Sequence, residues 1–191
     1  VDNITLDMQS VDLSDEQYFQ LCQANRDLRF ERSATGELIT MPPAGGSSSH
    51  RNIKLSQQLA NWADMNELGS EFDASGGFKL PNGADRFPDA AWVRLERWEA
   101  LTPQEQDRFA PLCPDFVAEL RSKTDSLKAL RLKMQEYIDN GALLGWLIDP
   151  QTRKVEIYRP GLPVETLDNP ERLSGEPVLP GFLLNFAPIW A

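Results

Sequence analysis

The stretch 111–150, PLCPDFVAELRSKTDSLKALRLKMQEYIDNGALLGWLIDP, constrains this chain more than any other. Phe116, Val117, Ala118 and Leu120 make an apolar, strand-like run, yet Asp115 and Glu119 stand within it, and at a period of two both acids share a side with Arg121. An ionised carboxylate among apolar neighbours needs a hydrogen-bond donor, a cation or a metal, because desolvating it alone is costly or shifts its pKa. The next segment is basic: Arg121, Lys123, Lys128, Arg131 and Lys133 stand against the single acid Asp125. It reads as an amphipathic helix over residues 125–140, with Leu127, Leu130, Met134, Tyr137 and Ile138 on its apolar stripe and Gly141 as its left-handed stop. Arg131 and Lys133 flank that stripe on opposite sides, so one of them can lean over the sheet edge where the acids lie.

The rest of the chain narrows the class. Its 191 residues suit one domain with a core of its own. No apolar run approaches the length of a membrane span, so no membrane partner is expected. Cys22 and Cys113 stand in unrelated segments without a CxxC pair, which argues against a disulfide scaffold or a zinc ribbon and for a reducing, cytoplasmic setting. With His50 the one histidine, multi-histidine metal sites are excluded and a Ser-His-Asp or Cys-His mechanism would rest on that residue alone. The formal net charge of -10 is wrong for a protein that coats nucleic acid by bulk electrostatics, although the edge at 121–133 is locally basic.

Taken in order, residues 1–13 carry little signal and suit a loose arm or an edge strand. Ser14 with Gln17 forms a capping box for a helix through residue 23, with Phe19 and Cys22 inward. Residues 28–32 and 37–41 suit a hairpin packed on the main sheet. A helix is expected over 50–67, with Ile53, Leu55, Leu59, Trp62, Ala63 and Met65 apolar and Gly69 as its stop. Gly45-Gly46-Ser47 before it lacks the Gly-Lys-Ser/Thr ending of a phosphate loop. Three strands follow at 71–80, 87–95 and 115–121, the first two joined by the hairpin signal Asn82-Gly83. Thr102-Pro103-Gln104-Glu105 caps a short helix in the connection between the second and third. A strand at 143–148 and another at 154–159 make a second hairpin, and Phe182, Leu183, Leu184, Phe186 and Trp190 pin the proline-rich tail to the body.

The order helix, three strands, helix, strand places Asp89 on the second strand and Asp115 and Glu119 on the third. If those strands are neighbours, Asp89 and Glu119 approach one another, and paired carboxylates beside a basic group suit a hard divalent ion such as Mg2+ and the hydrolysis of a phosphodiester. The chain resembles the PD-(D/E)XK nuclease superfamily and, within it, the Uma-two family of restriction-endonuclease-like proteins. The resemblance rests on Pro88-Asp89-Ala90-Ala91-Trp92, on Asp115, Glu119 and Ser122 in PDFVAELRS, on Lys133 and Tyr137 in KMQEY, and on Gly141 and Gly145-Trp146 through Asp149-Pro150. Residues 41–45 and 179–182 extend it over most of the chain.

That resemblance implies an α+β (α/β) fold with a restriction-endonuclease-like core, a central mixed β-sheet flanked by helices in the order αβββαβ. The one domain would comprise an N-terminal helix-hairpin extension (1–43), the nuclease-like core (44–159) and a C-terminal tail (160–191). It implies a Mg2+-dependent endonuclease acting on DNA, with Mn2+ as a substitute ion. Asp89 and Glu119 would bind metal, with Asp115 as an auxiliary acid. The position two residues after the glutamate, lysine in the family pattern, is Arg121, which keeps the charge but stays protonated. Lys133 is the residue that takes over if it reaches the site.

Other readings stay open at the level of sequence. Pro88-Asp89 and Pro114-Asp115 each suit a strand or turn start, and Glu119 suits an ordinary salt bridge with Arg121 or a helix lysine. Lys123, Lys128 and Arg131 suit a solvated helix face, His50 a helix cap, and Trp92, Tyr137 and Trp146 the core. A module of the same fold that binds nucleic acid or a protein without cleaving is the alternative, with a structural oligomerisation domain behind it. A double-strand cutter ordinarily brings two sites together, which makes a homodimer the assembly compatible with the nuclease reading.

Overall fold

The computed structural model describes residues 4–8, 11, 13–41 and 43–191. The first half of the chain forms β1 (Ile4–Leu6), α1 (Asp15–Ala24), β2 (Arg29–Arg32), β3 (Leu38–Met41), α2 (Gly46–Asn66), β4 (Gly69–Asp73), β5 (Phe78–Lys79), β6 (Asp85–Arg86) and β7 (Ala90–Arg94). The second half forms α3 (Leu95–Glu99), α4 (Pro103–Gln106), β8 (Phe116–Leu120), α5 (Leu127–Asp139), β9 (Leu144–Asp149), β10 (Lys154–Tyr158), β11 (Glu165–Asp168), β12 (Arg172–Ser174), β13 (Leu183–Asn185) and α6 (Ala187–Trp190).

A six-stranded mixed sheet in the order β11-β10-β9-β8-β7-β4 forms the centre. Its one parallel pair is β8 with β9. Parallel neighbours need a crossover rather than a tight turn, and α5 is that crossover. Alternate residues of β8 serve opposite faces of the sheet. Phe116, Ala118 and Leu120 pack with Leu55, Leu59, Trp62 and Ala63 of α2, whereas Val117 packs with Met134 and Tyr137 of α5. Glu119 is therefore the next position on the α5 side. Ser126 caps α5 by accepting from the Ala129 N–H, and Gly141 ends it at φ +111°. The helix lies close against β9, since a Cβ on Gly145 would fall 2.5 Å from Met134 Cε.

The capping box at Ser14 and Gln17 and the hairpin of β2 and β3 form as the sequence predicts, although Tyr18 rather than Phe19 or Cys22 is the buried residue of α1. The Asn82-Gly83 turn behaves differently. Residues 71–80 are not one strand: β4 pairs with β7 in the main sheet, while β5 and β6, joined by that turn, lie in a second sheet ordered β1-β3-β2-β6-β5. The buried ion pair of Arg32 with Asp85, 2.7 Å from Nε to Oδ2, fastens β6 to β2 there. A local turn signal specifies a hairpin; the partner across the sheet is chosen by a long-range contact.

Helix α2 starts at Gly46 rather than near His50, and Ile53 and Met65 are exposed, so its buried stripe is Leu55, Leu59, Trp62 and Ala63. It ends at Glu67 in the left-handed region, not at Gly69. Gly69 opens β4 instead, where a Cβ would lie 2.2 Å from the Val93 carbonyl oxygen and 2.6 Å from Trp92 Cε2. Because backbone cannot yield as a flexible side chain does, Gly69→Ala is expected to destabilise the fold by about 2–3 kcal/mol, read as a drop in the urea midpoint at unchanged slope. The tail docks on α2 through Phe182, Leu184, Phe186 and Ile189, while Leu183, alternating with Leu184 on β13, points outward.

Candidate active site

The register Ala90↔Ala118 puts Asp89, one residue before β7, level with Glu119 near the end of β8. Asp89 is held from two sides: Asn52 of α2 donates Nδ2 to Oδ1 at 2.9 Å, and the Leu120 N–H donates to Oδ2 at 2.7 Å. Glu119 is buried, and two donors from α5 meet on its Oε1: the Tyr137 hydroxyl at 3.0 Å and the Lys133 ammonium at 2.8 Å. Lys133 also reaches Glu31 of β2, 2.7 Å from Nζ to Oε1. Glu31 completes its set with the Phe87 N–H at 3.0 Å and Arg86 Nη1 at 3.1 Å, and Arg86 Nε goes on to Glu136 of α5 at 2.6 Å. Three carboxylates, one lysine and one arginine thus knit both sheets to α5.

Burial and mutual repulsion set the charges. Burial pushes the Asp89 carboxyl above its ordinary value, against the opposing pull of the Leu120 N–H and Lys133. Burial also pushes Glu119 up, to about 7, with Lys133 pulling it down and the like charges of Asp89 and Glu31 adding to the rise. For Glu31, burial works against ionisation, but Lys133 and Arg86 outweigh it and hold the carboxyl below the usual range. Burial disfavours charge on Lys133 too, yet Glu119 and Glu31 together raise it above a free lysine.

Asp89, Glu119 and Lys133 line a cleft of about 1020 Å3 walled by the hairpin of β2 and β3, the start of α2 and the loop between β8 and α5. Among the described residues, no three of His, Cys, Asp and Glu converge to hold a metal by themselves. Two carboxylates facing a cleft nonetheless fit Mg2+, which keeps water and substrate phosphate oxygens among its ligands and needs only one or two protein acids. The buried Oδ1 of Asn52, which meets no donor among the described residues, adds an unsatisfied oxygen beside Asp89.

Of the five residues singled out from sequence, the structure brings Asp89, Glu119 and Lys133 together, sets Asp115 apart, and leaves Arg121 on the wall of the same cleft with its guanidinium engaged elsewhere. Asp115 lies four residues before Glu119, roughly 13 Å away along the strand at about 3.3 Å per residue. It accepts from the Arg94 N–H at 3.0 Å and pairs with Arg97 Nη1 at 2.9 Å, tying β8 to the start of α3. Arg121 falls just past the end of β8 and turns to Asp149, 2.8 Å from Nη1 to Oδ2, while its Nε donates to the Asp125 carbonyl at 3.2 Å. Burial opposes ionisation of Asp149, but Arg121, Thr152 and the Gln151 N–H hold its carboxyl below 3.8. A depressed folded-state pKa stabilises above the unfolded value and ceases to do so as pH falls through the folded one. Asp149→Asn is therefore expected to lower the melting temperature at neutral pH, with the gap to the wild type closing well below pH 3.8. Sequence reasoning missed Glu31, Asn52 and Arg86. Glu31 alone left a signal, an acid next to Phe30 in a strand-like run, which is the pattern that drew attention to Glu119.

A mixed sheet with a helical crossover, flanked by helices, is the α+β, restriction-endonuclease-like fold class expected from the sequence. The chain is similar to a protein from Anabaena variabilis whose crystal structure is described as "a putative nuclease belonging to DUF820", with a TM-score of 0.71 at 19% identity over 84% of this chain and 89% of that one. It belongs to the Uma2 family, described as "Putative restriction endonuclease", which it matches over residues 15–187. No curated protein matches it. No helix among the described residues is long and apolar enough to cross a membrane.

Proposed function

We propose that the protein is a divalent-metal-dependent nuclease that hydrolyses phosphodiester bonds of DNA in the cleft beside β7 and β8. The observation that carries this reading is the meeting of Asp89, Glu119 and Lys133: two acids level on adjacent strands, with an ammonium 2.8 Å from one of them, on the wall of an open cleft. Both the family and the Anabaena relative point the same way by their descriptions.

Asp89 and Glu119 would hold the ion, Mg2+ or Mn2+. Such an ion, when bound, lowers the pKa of water and offsets negative charge on a phosphate. The chain's own groups prepare that site. Asn52 and the Leu120 N–H fix Asp89, and Tyr137 with Lys133 fixes Glu119. Lys133 is kept protonated by the acids around it, so what it offers the scissile phosphate is charge, not a place for a proton. Arg121 has its guanidinium engaged with Asp149, so the positive charge at this site comes from the helix, not the strand.

The test is relaxation and linearisation of a supercoiled plasmid in Mg2+ and in Mn2+. The reading expects cleavage that EDTA and Asp89→Asn both abolish. A folded wild type that binds DNA but cuts it in neither metal would overturn the reading in favour of a non-cleaving module.

A further inference from the structure

Lys133 Nζ lies between two carboxylates from different sheets, 2.7 Å from Glu31 Oε1 and 2.8 Å from Glu119 Oε1. An ammonium has three donors, and these two acids occupy two of them. Lys133 itself lines the cleft, where an oxygen of a phosphate can take the third. Its stem is four flexible carbons, so with one acid alone the ammonium would be free to swing onto it. Glu31, in contrast, is fixed: it is buried in β2, with Phe87 N–H on Oε1 and Arg86 on Oε2.

Resting on the nuclease reading for its role, we infer that Glu31 is a positioning residue that holds the Lys133 ammonium at the cleft face and stops it from neutralising Glu119 alone. The hairpin of β2 and β3 is then part of the catalytic apparatus and not an appendage to it. A purely structural part for Glu31, gluing the hairpin to α5, predicts loss of stability without a selective loss of turnover.

The experiment uses Glu31→Gln, which preserves shape and leaves an oxygen facing Phe87 and Lys133 but removes the charge and sets an amide donor against Arg86, and Glu31→Asp, which restores charge on a shorter arm. Folding of both is confirmed by melting curves. Steady-state plasmid cleavage is expected to show kcat reduced about 30-fold in Glu31→Gln with KM within twofold of wild type, and partial recovery of kcat in Glu31→Asp. Lysine Nζ resonances of 15N-labelled protein give a readout independent of cleavage. Wild type should show a slowly exchanging ammonium, assigned by its absence in Lys133→Arg, whose resonance shifts in Glu31→Gln as the ammonium moves onto Glu119. Full kcat in Glu31→Gln, or an unchanged Lys133 resonance, overturns the inference. If the wild type cuts no DNA, the nuclease reading fails on its own, and the resonance still decides whether Glu31 holds Lys133.

Discussion

Replacing Glu119 by glutamine is expected to reduce DNA cleavage by about 10^3-fold or more, equivalent to roughly 4 kcal/mol of transition-state stabilisation. The amide fits the same space and its oxygen can still accept from Tyr137 and Lys133, so the loss is one of charge alone. The wild-type carboxylate is buried beside Asp89 and Glu31, a setting that already disfavours its ionised form. Removing that charge should therefore leave the melting temperature of the variant no lower than that of the wild type. Cleavage in single-turnover conditions, with circular dichroism to confirm the fold, reads both halves of the prediction. A dead but stable protein separates chemistry from structure.

Lys133→Met is expected to do the opposite in one respect: it should lower cleavage by about 10^2-fold and also destabilise the chain by about 3 kcal/mol. Its removal leaves Glu31 and Glu119 buried without the cation they share. The informative comparison is Arg121→Ala, two residues after Glu119. Its guanidinium is bound to Asp149 and the Asp125 carbonyl, so this variant should retain cleavage within about threefold while losing some stability. Activity that vanished with Arg121 and survived without Lys133 would return the charge to the strand and refute the arrangement described here. Urea unfolding alongside cleavage separates the two effects in each variant.

Much of the fold was legible because its signals are local. Ser14 with Gln17, Thr102 with Glu105, and Gly141 after the apolar stripe of α5 each mark a boundary with nearby chemistry, and each stands where expected. What failed depended on distant partners. Nothing near Asn82-Gly83 says which sheet its hairpin joins; that is settled by Arg32 meeting Asp85. The start of α2 was read too late because Gly46 and the serines after it are weak helix formers, held in the helix by its apolar stripe against the sheet.

The site divides in the same way. Glu119 was visible because charge inside an apolar strand is costly and so calls for a reason, and Asp89 by its place on the neighbouring strand and the resemblance that Pro88-Asp89 carries. Period-two alternation placed Asp115 and Arg121 on the same side as Glu119, but Asp115 does not reach the cleft, and Arg121, on its wall, is held by Asp149. Asp115 is at the far end of the strand, and Arg121 lies beyond the last strand residue, where alternation no longer governs the side chain. Glu31 was hidden because the hairpin that carries it was taken for an extension, and only the fold brings β2 over α5.

The central claim is that Asp89 and Glu119 form a divalent-metal site, and calorimetric titration of Mn2+ tests it without any assumption about the DNA sequence that is cut. The account predicts one ion bound per chain in the wild type and no measurable binding in Glu119→Gln. A folded wild type that takes up no Mn2+, alone or in the presence of a DNA oligonucleotide whose phosphates supply the remaining ligands, would contradict it.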